Sequence, residues 1–195
     1  MHAQEDWKLV RDSDDIKAYT KPVATSNFKA FKAEMIIDQD IHAFLSLLYD
    51  IDDLDVWGYK LKDTKLLERK GDSMQIYYAV VKAPFPFKNR DGVYLNSIKW
   101  DSKTKILTVD IKLLEDYLAE KDDLVRISGD GFWKATVLPL NKLKIDFQMQ
   151  VDPGGDIPAW LANIFADGSP YYTLLDLREA IKNKKYATKT YSFID

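Results

Sequence analysis

A change of hydrophobic period between residues 143 and 161 constrains the fold of this chain more than any other feature. From Leu143 to Val151 apolar and polar side chains alternate strictly, which is typical of a strand with one solvated face. The segment Asp152–Leu161 then carries two glycines and two prolines, and an amphipathic, aromatic-rich helical pattern follows it. The pattern predicts a sheet whose last strand leads into one long helix lying across it, with an interior suited to holding a ligand.

Short strands separated by turn residues fill most of the chain ahead of that helix. Expected strands are residues 7–10, 16–20, 31–37, 65–69, 74–82, 92–100, 106–114, 124–128, 131–138 and 143–151. A spacing of about 8–12 residues is typical of an antiparallel meander. One helical pattern interrupts them, after a capping aspartate at Asp38 or Asp40. Strands followed by one long helix, rather than alternating with helices, predict the α+β class.

The composition excludes several classes of function. The chain has 195 residues, which suits one domain, and no cysteine, which excludes disulfides, thiolate metal sites and cysteine nucleophiles. Its charges are interspersed, with a net charge of −3, so we expect no nucleic-acid partner. No apolar run approaches the roughly 20 residues that cross a membrane, which predicts a soluble protein. Aromatic residues make up 13% and suit either a large core or an apolar pocket.

Residues that could carry out catalysis are scarce. Of the two histidines, His2 lies at the start of the chain, and His42 falls beside the apolar stripe of the first helix, facing solvent. Neither a zinc-protease motif, a glycine-rich phosphate loop nor a nucleophile elbow occurs. The aspartates at 52, 53 and 55 are typical of a solvated turn. We therefore expect no catalytic residue, no metal and no cofactor.

A second punctuated segment, residues 84–91, precedes another strand. Its two prolines interrupt strand pairing and leave Phe85 and Phe87 on a stiff loop. Arg90 and Asp91 open the strand, where adjacent side chains point to opposite faces. Either both are surface charges that pair with separate neighbours, or Arg90 anchors the loop while the loop and the last helix form a mouth.

Together, these two segments resemble the START domain, the steroidogenic acute regulatory protein-related lipid-transfer family, in its bacterial single-domain form. The resemblance rests on the prolines with Asn89-Arg90-Asp91 and on Asp-Pro-Gly-Gly-x-Ile-Pro-x-Trp-Leu at 152–161, and it spans residues 7 to about 186. It implies a single lipid-binding domain, within 1–195, with the helix-grip fold of the birch-pollen allergens. In that fold a curved antiparallel sheet wraps around a long C-terminal helix and encloses an apolar cavity.

Carried onto this sequence, the resemblance implies a mouth loop at 84–89 and a lid helix from about 157 to 184. The candidate cavity and lid residues are Trp57, Tyr78, Phe85, Phe87, Arg90, Asp91, Tyr94, Asn96, Trp133, Phe147, Trp160, Ile164, Phe165, Tyr171 and Leu175. Sterol-carrying relatives place a buried acid and an arginine where this chain has Tyr77 or Tyr78 and Asn96, so a sterol preference is not implied. Which of the two tyrosines faces the cavity is open, because a one-residue slip reverses a strand.

The resemblance implies binding of a lipid or other apolar small molecule in an internal tunnel, and transfer of that molecule is a further expectation. Each methylene that leaves water contributes about 0.8 kcal/mol, so such a carrier needs no catalytic group. Two alternatives stay open: an enzyme resembling the polyketide cyclases and aromatases, with Arg90, Asp91, Tyr78 and Tyr94 orienting a ketone, and a ligand-sensing interaction module. We expect a monomer that contacts membranes transiently. Ala3 and Gln4 resemble the remnant of a removed signal peptide, so an exported and a cytoplasmic location are both open.

Overall fold

The computed structural model describes residues 7–195, so the predictions that concern His2, Ala3 and Gln4 lie outside the described residues. Within that range the chain forms ten strands and three helices. The strands are β1 (Lys8–Ser13), β2 (Ile16–Val23), β3 (Ser26–Ile37), β4 (Leu61–Lys70), β5 (Met74–Val81), β6 (Arg90–Asp101), β7 (Ile106–Leu113), β8 (Val125–Arg126), β9 (Ser128–Leu138) and β10 (Lys142–Asp152). The helices are α1 (Ile41–Tyr49), α2 (Leu54–Trp57) and α3 (Ala159–Ala180).

The strands form a single curved sheet that is not closed. Its order is β1-β2-β3-β10-β9-β7-β6-β5-β4, with antiparallel pairing along this path, while the short β8 pairs in parallel with β6. The long helix α3 lies against β1, β2 and β3. The predicted α+β class and the helix-grip fold are both confirmed.

One pairing departs from the meander and decides where α3 lies. The last strand, β10, pairs with β3, so that Leu143 is opposite Ile37 and Met149 is opposite Phe31. Because α3 follows β10 directly, it returns over β3 and β2 instead of packing at the far edge of the sheet. The cavity described below lies on this side of the sheet.

The predicted alternation of β10 separates an apolar face from a charged one. Leu143, Ile145, Phe147 and Met149 are buried beneath α1 and α3. On the opposite face, Lys144 pairs across the strands with Glu34 at 3.2 Å, and the intervening side chains are only half-buried. A sheet with one covered face gives this period of two.

The strand β5 is apolar on both faces, as the sequence predicts, and both faces are covered. Tyr77 and Ala79 belong to the main core. Ile76, Tyr78 and Val80 form a second buried cluster on the outer face, where they pack with Val93 beneath Leu114 and Leu124.

The first helix begins at the predicted cap. The Asp40 carboxylate accepts a hydrogen bond from the backbone N–H of His42 at 2.7 Å. His42, which we expected to face solvent, is half-buried instead, because the chain after α3 folds back over α1. Its Nδ1 accepts a hydrogen bond from the backbone N–H of Tyr191 at 3.1 Å, and the two rings stack.

The last helix, α3, is shorter at both ends than predicted. Pro158 is its N-cap, and the chain leaves the helix after Ala180 through a series of turns. None of the helices within residues 7–195 combines the length and apolar character that a membrane span requires.

The central position of β10 generates a prediction about stability. Ile145 is fully buried between β3 and β9, so Ile145→Ala should lower the free energy of unfolding by about 2–5 kcal/mol. Ile36 is 53% exposed on the outer face of β3, so Ile36→Ala is the matched control and should change it by less than about 0.5 kcal/mol. Urea unfolding followed by circular dichroism measures both, and equal losses would contradict this assignment of the two faces.

Candidate ligand cavity beneath the C-terminal helix

A cavity of about 230 Å³ lies between the covered face of the sheet and α3. Strands β3, β5, β6, β7, β9 and β10 contribute to its wall, together with the α1–α2 segment and the first half of α3. Most of the wall is aromatic or aliphatic. Its apolar side chains include Phe31, Leu48, Ile51, Leu54, Tyr77, Ile111, Ile127, Met149, Val151, Ile157 and Ala166.

Aromatic rings give one side of the wall a fixed shape. Trp133 and Phe147 are opposite each other on β9 and β10, and their rings stack with centroids 4.0 Å apart. Trp57 reaches over from α2 and meets the edge of Trp133 at 6.0 Å. Offset and edge-on ring pairs of this kind stabilise their own geometry, so this part of the wall is preformed.

A group of uncharged polar side chains lies on β5 and β6. Tyr77 and Tyr94 are cross-strand partners whose rings stack at 4.9 Å. Burial raises the pKa of Tyr77 well above its usual value; the neighbouring Tyr94 adds to that rise, and a hydrogen bond with Asn96 opposes it. Burial likewise raises the pKa of Tyr94. Both hydroxyls therefore stay protonated at physiological pH.

Two polar atoms of the wall lack partners. Among the buried side chains of residues 7–195, only Trp57 Nε1 and Asn96 Oδ1 form no hydrogen bond. Both residues line the cavity. An unsatisfied buried polar group costs about 1–3 kcal/mol, and each such group in a folded protein calls for a partner. A ligand group that reaches these two atoms would satisfy one donor and one acceptor.

Arg90 joins the two segments that the sequence singles out. Its buried guanidinium donates to the backbone carbonyl of Lys88 in the loop and to those of Pro153 at 3.2 Å and Gly154 at 3.4 Å. Burial lowers the pKa of Arg90, because desolvation disfavours its charge. The loop is held further by Asn89, whose side chain accepts from the backbone N–H of Ala83 at 3.0 Å. Arg90 thus connects the loop before β6 to the start of the segment that leads into α3.

Gly154 meets two backbone requirements where these segments join. Its φ is +61°, a conformation that side chains disfavour. A Cβ at this position would also approach the carbonyl oxygen of Arg126 to 2.7 Å. Any other residue at position 154 would therefore be strained and would collide with the backbone.

The first half of α3 is held against the β2–β3 hairpin by polar contacts. Asn163 Oδ1 accepts from the backbone N–H of Lys29 at 2.9 Å, and Lys29 Nζ lies 3.5 Å from the Asp167 carboxylate. Both Lys29 and Asp167 are partly exposed, so that ion pair is weak. The polar contacts that hold this half of the helix to the sheet are therefore partly exposed.

Sequence comparison decides the family, because the model of the START domain family matches residues 2–183 of this chain. The chain belongs to the START family. An uncharacterised protein of Pseudomonas aeruginosa is 30% identical over 92% of this chain and 89% of its own length. The phosphatidylcholine transfer protein of Mus musculus is 27% identical over 95% of this chain and 87% of its own length.

A solved structure supports the same assignment. The STAR-related lipid transfer protein of Xanthomonas axonopodis (fragment 25–204) superimposes with a TM-score of 0.84 at 30% identity. The similarity covers 91% of this START domain and 99% of the Xanthomonas chain.

About half of the candidate residues lie on the cavity wall of this START domain. They are Trp57, Arg90, Tyr94, Asn96, Trp133, Phe147 and Phe165. They come from five separate elements, which the pairing of β10 with both β3 and β9 brings together.

Tyr78 and Asp91 lie on the outer face of the sheet, and strand parity is the reason. On β6 the even-numbered residues Arg90, Tyr94 and Asn96 face inward, so Asp91 faces outward. Since Tyr94 is opposite Tyr77, the tyrosine that lines the cavity is Tyr77. Tyr78 packs in the outer cluster.

Phe85, Trp160 and Ile164 are exposed rather than on the wall, at 97%, 66% and 57%. Phe87 is half-buried in the loop and also stays off the wall. Within residues 82–90, Lys82, Ala83 and Arg90 line the cavity, and neither phenylalanine does.

Helix rotation accounts for the candidates on α3 that miss the cavity. The wall residues of α3 form a more polar stripe than expected and are Ala162, Asn163, Phe165, Ala166, Ser169 and Thr173. Two further candidates pack elsewhere on this helix. Tyr171 is buried beside β1, where its hydroxyl bonds Asp14 and Arg11 lies over its ring, while Leu175 packs against the core outside the cavity.

Sequence analysis missed three lysines of the wall, Lys29, Lys60 and Lys82. Lys60 and Lys82 lie just outside strands, whereas Lys29 lies in the first part of β3. The register of β4, β5 and β6 places Lys60 and Lys82 beside Arg90. Register depends on contacts between residues far apart in the chain, so the sequence pattern does not predict it.

The position of Asp91 generates a prediction that separates stability from binding. Asp91 and Arg126 form a buried ion pair, with Nε at 3.0 Å from Oδ1. Asp91→Asn leaves the Arg126 charge without its partner and should lower the free energy of unfolding by about 3 kcal/mol, without weakening lipid binding by the folded fraction.

The matched control for Asp91 is on the neighbouring strand. Asp110 pairs with Lys99 at 2.7 Å, and both side chains are exposed, so Asp110→Asn should cost less than about 1 kcal/mol. Denaturant unfolding gives both values. A loss of lipid affinity with Asp91→Asn at unchanged stability would instead place this carboxylate in the binding site.

Proposed function

We propose that this START domain binds one lipid in the cavity beneath α3 and transfers it between membranes. The observation that carries the proposal is the mainly apolar cavity between the sheet and α3, where the wall residues Trp57 and Asn96 each keep one buried polar atom without a partner. The mouse and Xanthomonas relatives are both named as lipid transfer proteins, which supports a carrier rather than a catalyst.

The energetics of such a carrier follow from burial alone. An acyl chain gains about 0.8 kcal/mol for each methylene that leaves water, so the aromatic wall binds without a reactive group. The polar pair then orients the cargo, because a ligand atom that satisfies Asn96 or Trp57 removes the penalty of an unpaired group. Asn96, Tyr77 and Tyr94 are all uncharged, so the group that they receive is a neutral one such as a hydroxyl or a carbonyl.

Identification of the cargo tests this function directly. Native mass spectrometry of the protein purified from its source without detergent should show one bound lipid per chain. Absence of any adduct, together with no binding to a broad panel of lipids, would contradict the proposal.

A variant of Asn96 tests the orienting role. Wild-type protein and Asn96→Leu are titrated with hexadecanoate and with 16-hydroxyhexadecanoate, followed by the fluorescence of the wall tryptophans Trp57 and Trp133. The preference for the hydroxylated chain should fall by about fivefold in the variant, since one neutral hydrogen bond contributes about 1 kcal/mol.

The control for Asn96 makes the same kind of change on the other face. Gln148 lies on the solvated face of β10, so Gln148→Leu should keep the wild-type preference. An unchanged preference in Asn96→Leu would show that Asn96 does not contact the cargo.

The exposed apolar side chains beside the cavity support release at a membrane. Phe85 follows the wall residue Ala83, and Trp160 and Ile164 flank Ala162 on α3. Tryptophan side chains favour the membrane–water interface. We therefore propose that the loop and the start of α3 insert together, shallowly, into a bilayer and that the lipid leaves where the first half of α3 separates from β3.

A double variant tests this membrane contact. Phe85→Ser with Trp160→Ser should slow transfer between vesicles by about tenfold or more, because two large apolar side chains no longer enter the bilayer. Affinity for the lipid in solution should not change.

The control for this double variant is Leu140→Ser. Leu140 is 88% exposed in the β9–β10 turn, at the opposite end of β10 from the cavity mouth. The Leu140→Ser protein should transfer lipid at the wild-type rate. Equal rates for all three proteins would contradict the membrane contact.

The polyketide-cyclase alternative and the ligand-sensing alternative stay predictions. Turnover of a polyketide substrate would support the first, and a partner captured only in the presence of lipid would support the second.

A further inference from the structure

The charged residues on the cavity wall are all basic, although the chain as a whole has a net negative charge. Lys29, Lys60, Lys82 and Arg90 all line the cavity, and within residues 7–195 no aspartate or glutamate does. The chain as a whole has a net charge of −3. Positive charge is therefore concentrated at this site although acidic residues outnumber basic ones overall.

Three of these cations share one rim of the cavity, where three adjacent strands end. Val81 at the end of β5 is opposite Leu61 on β4 and Arg90 on β6. Lys60 and Lys82 are the next residues outward, and the backbone N–H of Lys82 donates to the carbonyl of Lys60 at 2.9 Å. Neighbouring strands lie about 4.8 Å apart, so the three cations fall within roughly 10 Å of each other along the rim.

Within the described part of the chain, no carboxylate pairs with the rim cations. Among those residues, Arg90 donates only to backbone carbonyls. The Lys60 ammonium lies over the Phe165 ring at 4.3 Å, and across residues 7–195 the Lys82 ammonium has no hydrogen bond or ion pair. The nearby Asp167 pairs with Lys29.

The start of α3 adds to this positive potential. Its N-cap, Pro158, provides no side-chain hydrogen bond, and its first turn contains no acidic residue. The first N–H groups of a helix carry partial positive charge and favour an anion nearby. Ile157 and Ala162, on either side of the cap, both line the cavity.

We infer that the rim formed by Lys60, Lys82 and Arg90 binds the anionic headgroup, a phosphate or a carboxylate, of a lipid with net negative charge. The inference rests on the proposed lipid-binding function and names the class of cargo. Guanidinium and ammonium groups bind such oxyanions through charge-assisted hydrogen bonds. Asn96 lies six positions along β6 from Arg90, a span of about 20 Å, which leaves the length of an acyl chain between the headgroup and Asn96.

The test compares two cargoes on one membrane. Donor vesicles contain phosphatidylcholine with a fixed minor share of phosphatidylglycerol, plus a trace of either phosphatidylglycerol or phosphatidylcholine carrying the same fluorescent acyl chain. Because the surface charge of the vesicles is the same in both arms, any difference in transfer reports the cargo and not recruitment. Wild-type protein should transfer labelled phosphatidylglycerol faster, by about fivefold for each rim lysine that contacts the headgroup.

Matched variants connect that preference with the rim. Lys60→Gln and Lys82→Gln should each reduce the preference by about fivefold while labelled phosphatidylcholine still transfers, which also shows that the variants fold. Lys88→Gln is the control, because Lys88 lies in the same loop, off the wall, with its ammonium on the carbonyl of Asp122. It should keep the wild-type preference.

The outcomes separate this inference from the proposed function. Equal transfer of both labelled lipids by wild-type protein would overturn the anionic headgroup and leave the lipid carrier standing, whereas transfer of neither would overturn the carrier itself. Inorganic phosphate is titrated alone as a further arm, followed by tryptophan fluorescence, and should give no saturable change. Saturable phosphate binding that Lys82→Gln removes would show a site for free anions instead of a lipid headgroup.

Discussion

The pairing of β10 with β3 is the contact on which the rest of this structure depends. It joins the first three strands to the last one across more than a hundred residues, along seven consecutive residue pairs from Leu143 opposite Ile37 to Met149 opposite Phe31. Since α3 leaves β10 directly, this register fixes which strands the helix covers and therefore which face of the sheet encloses the cavity. Buried side chains on one face and cross-strand charge pairs on the other keep the register from slipping, because a shift by one residue would exchange the two faces.

Arg90 connects this architecture to the function. It is buried at the edge of the cavity and bonds backbone carbonyls of both segments that flank the mouth, so the loop before β6 and the start of the α3 segment are held as one unit. The same charge faces the cavity beside Lys60 and Lys82. The cavity thus has a positive rim and, farther along β6, a neutral end formed by Tyr77, Tyr94 and Asn96, of which Asn96 lies some 20 Å from Arg90. An amphiphile matches that polarity without any catalytic group.

The sequence predicts the fold well because its signals are local. The alternation in β10 matches its buried and solvated faces, and the segment Asp152–Leu161 connects β10 to α3. Together with residues 84–91, these patterns indicate the START family. The site is predicted less well, because orientation depends on register. Tyr77 and Tyr78 are equally apolar neighbours, and only the pairing with Tyr94 shows which one faces inward. Similarly, the helical period of α3 does not set its rotation, so Trp160 and Ile164 looked like lid residues although they are exposed.

The central claim, that the cargo lies beneath α3, can be tested most directly by locking this helix to the sheet. The chain has no cysteine, Asn163 Oδ1 lies 2.9 Å from the backbone nitrogen of Lys29, and the Lys29 side chain extends to Asp167 on α3, so we choose Lys29→Cys with Asn163→Cys as the disulfide pair. Protein loaded with a fluorescent lipid and then oxidised should retain it in the presence of acceptor vesicles, and dithiothreitol should restore release. Release at the same rate from the oxidised and the reduced protein would show that the lipid does not lie under the helix.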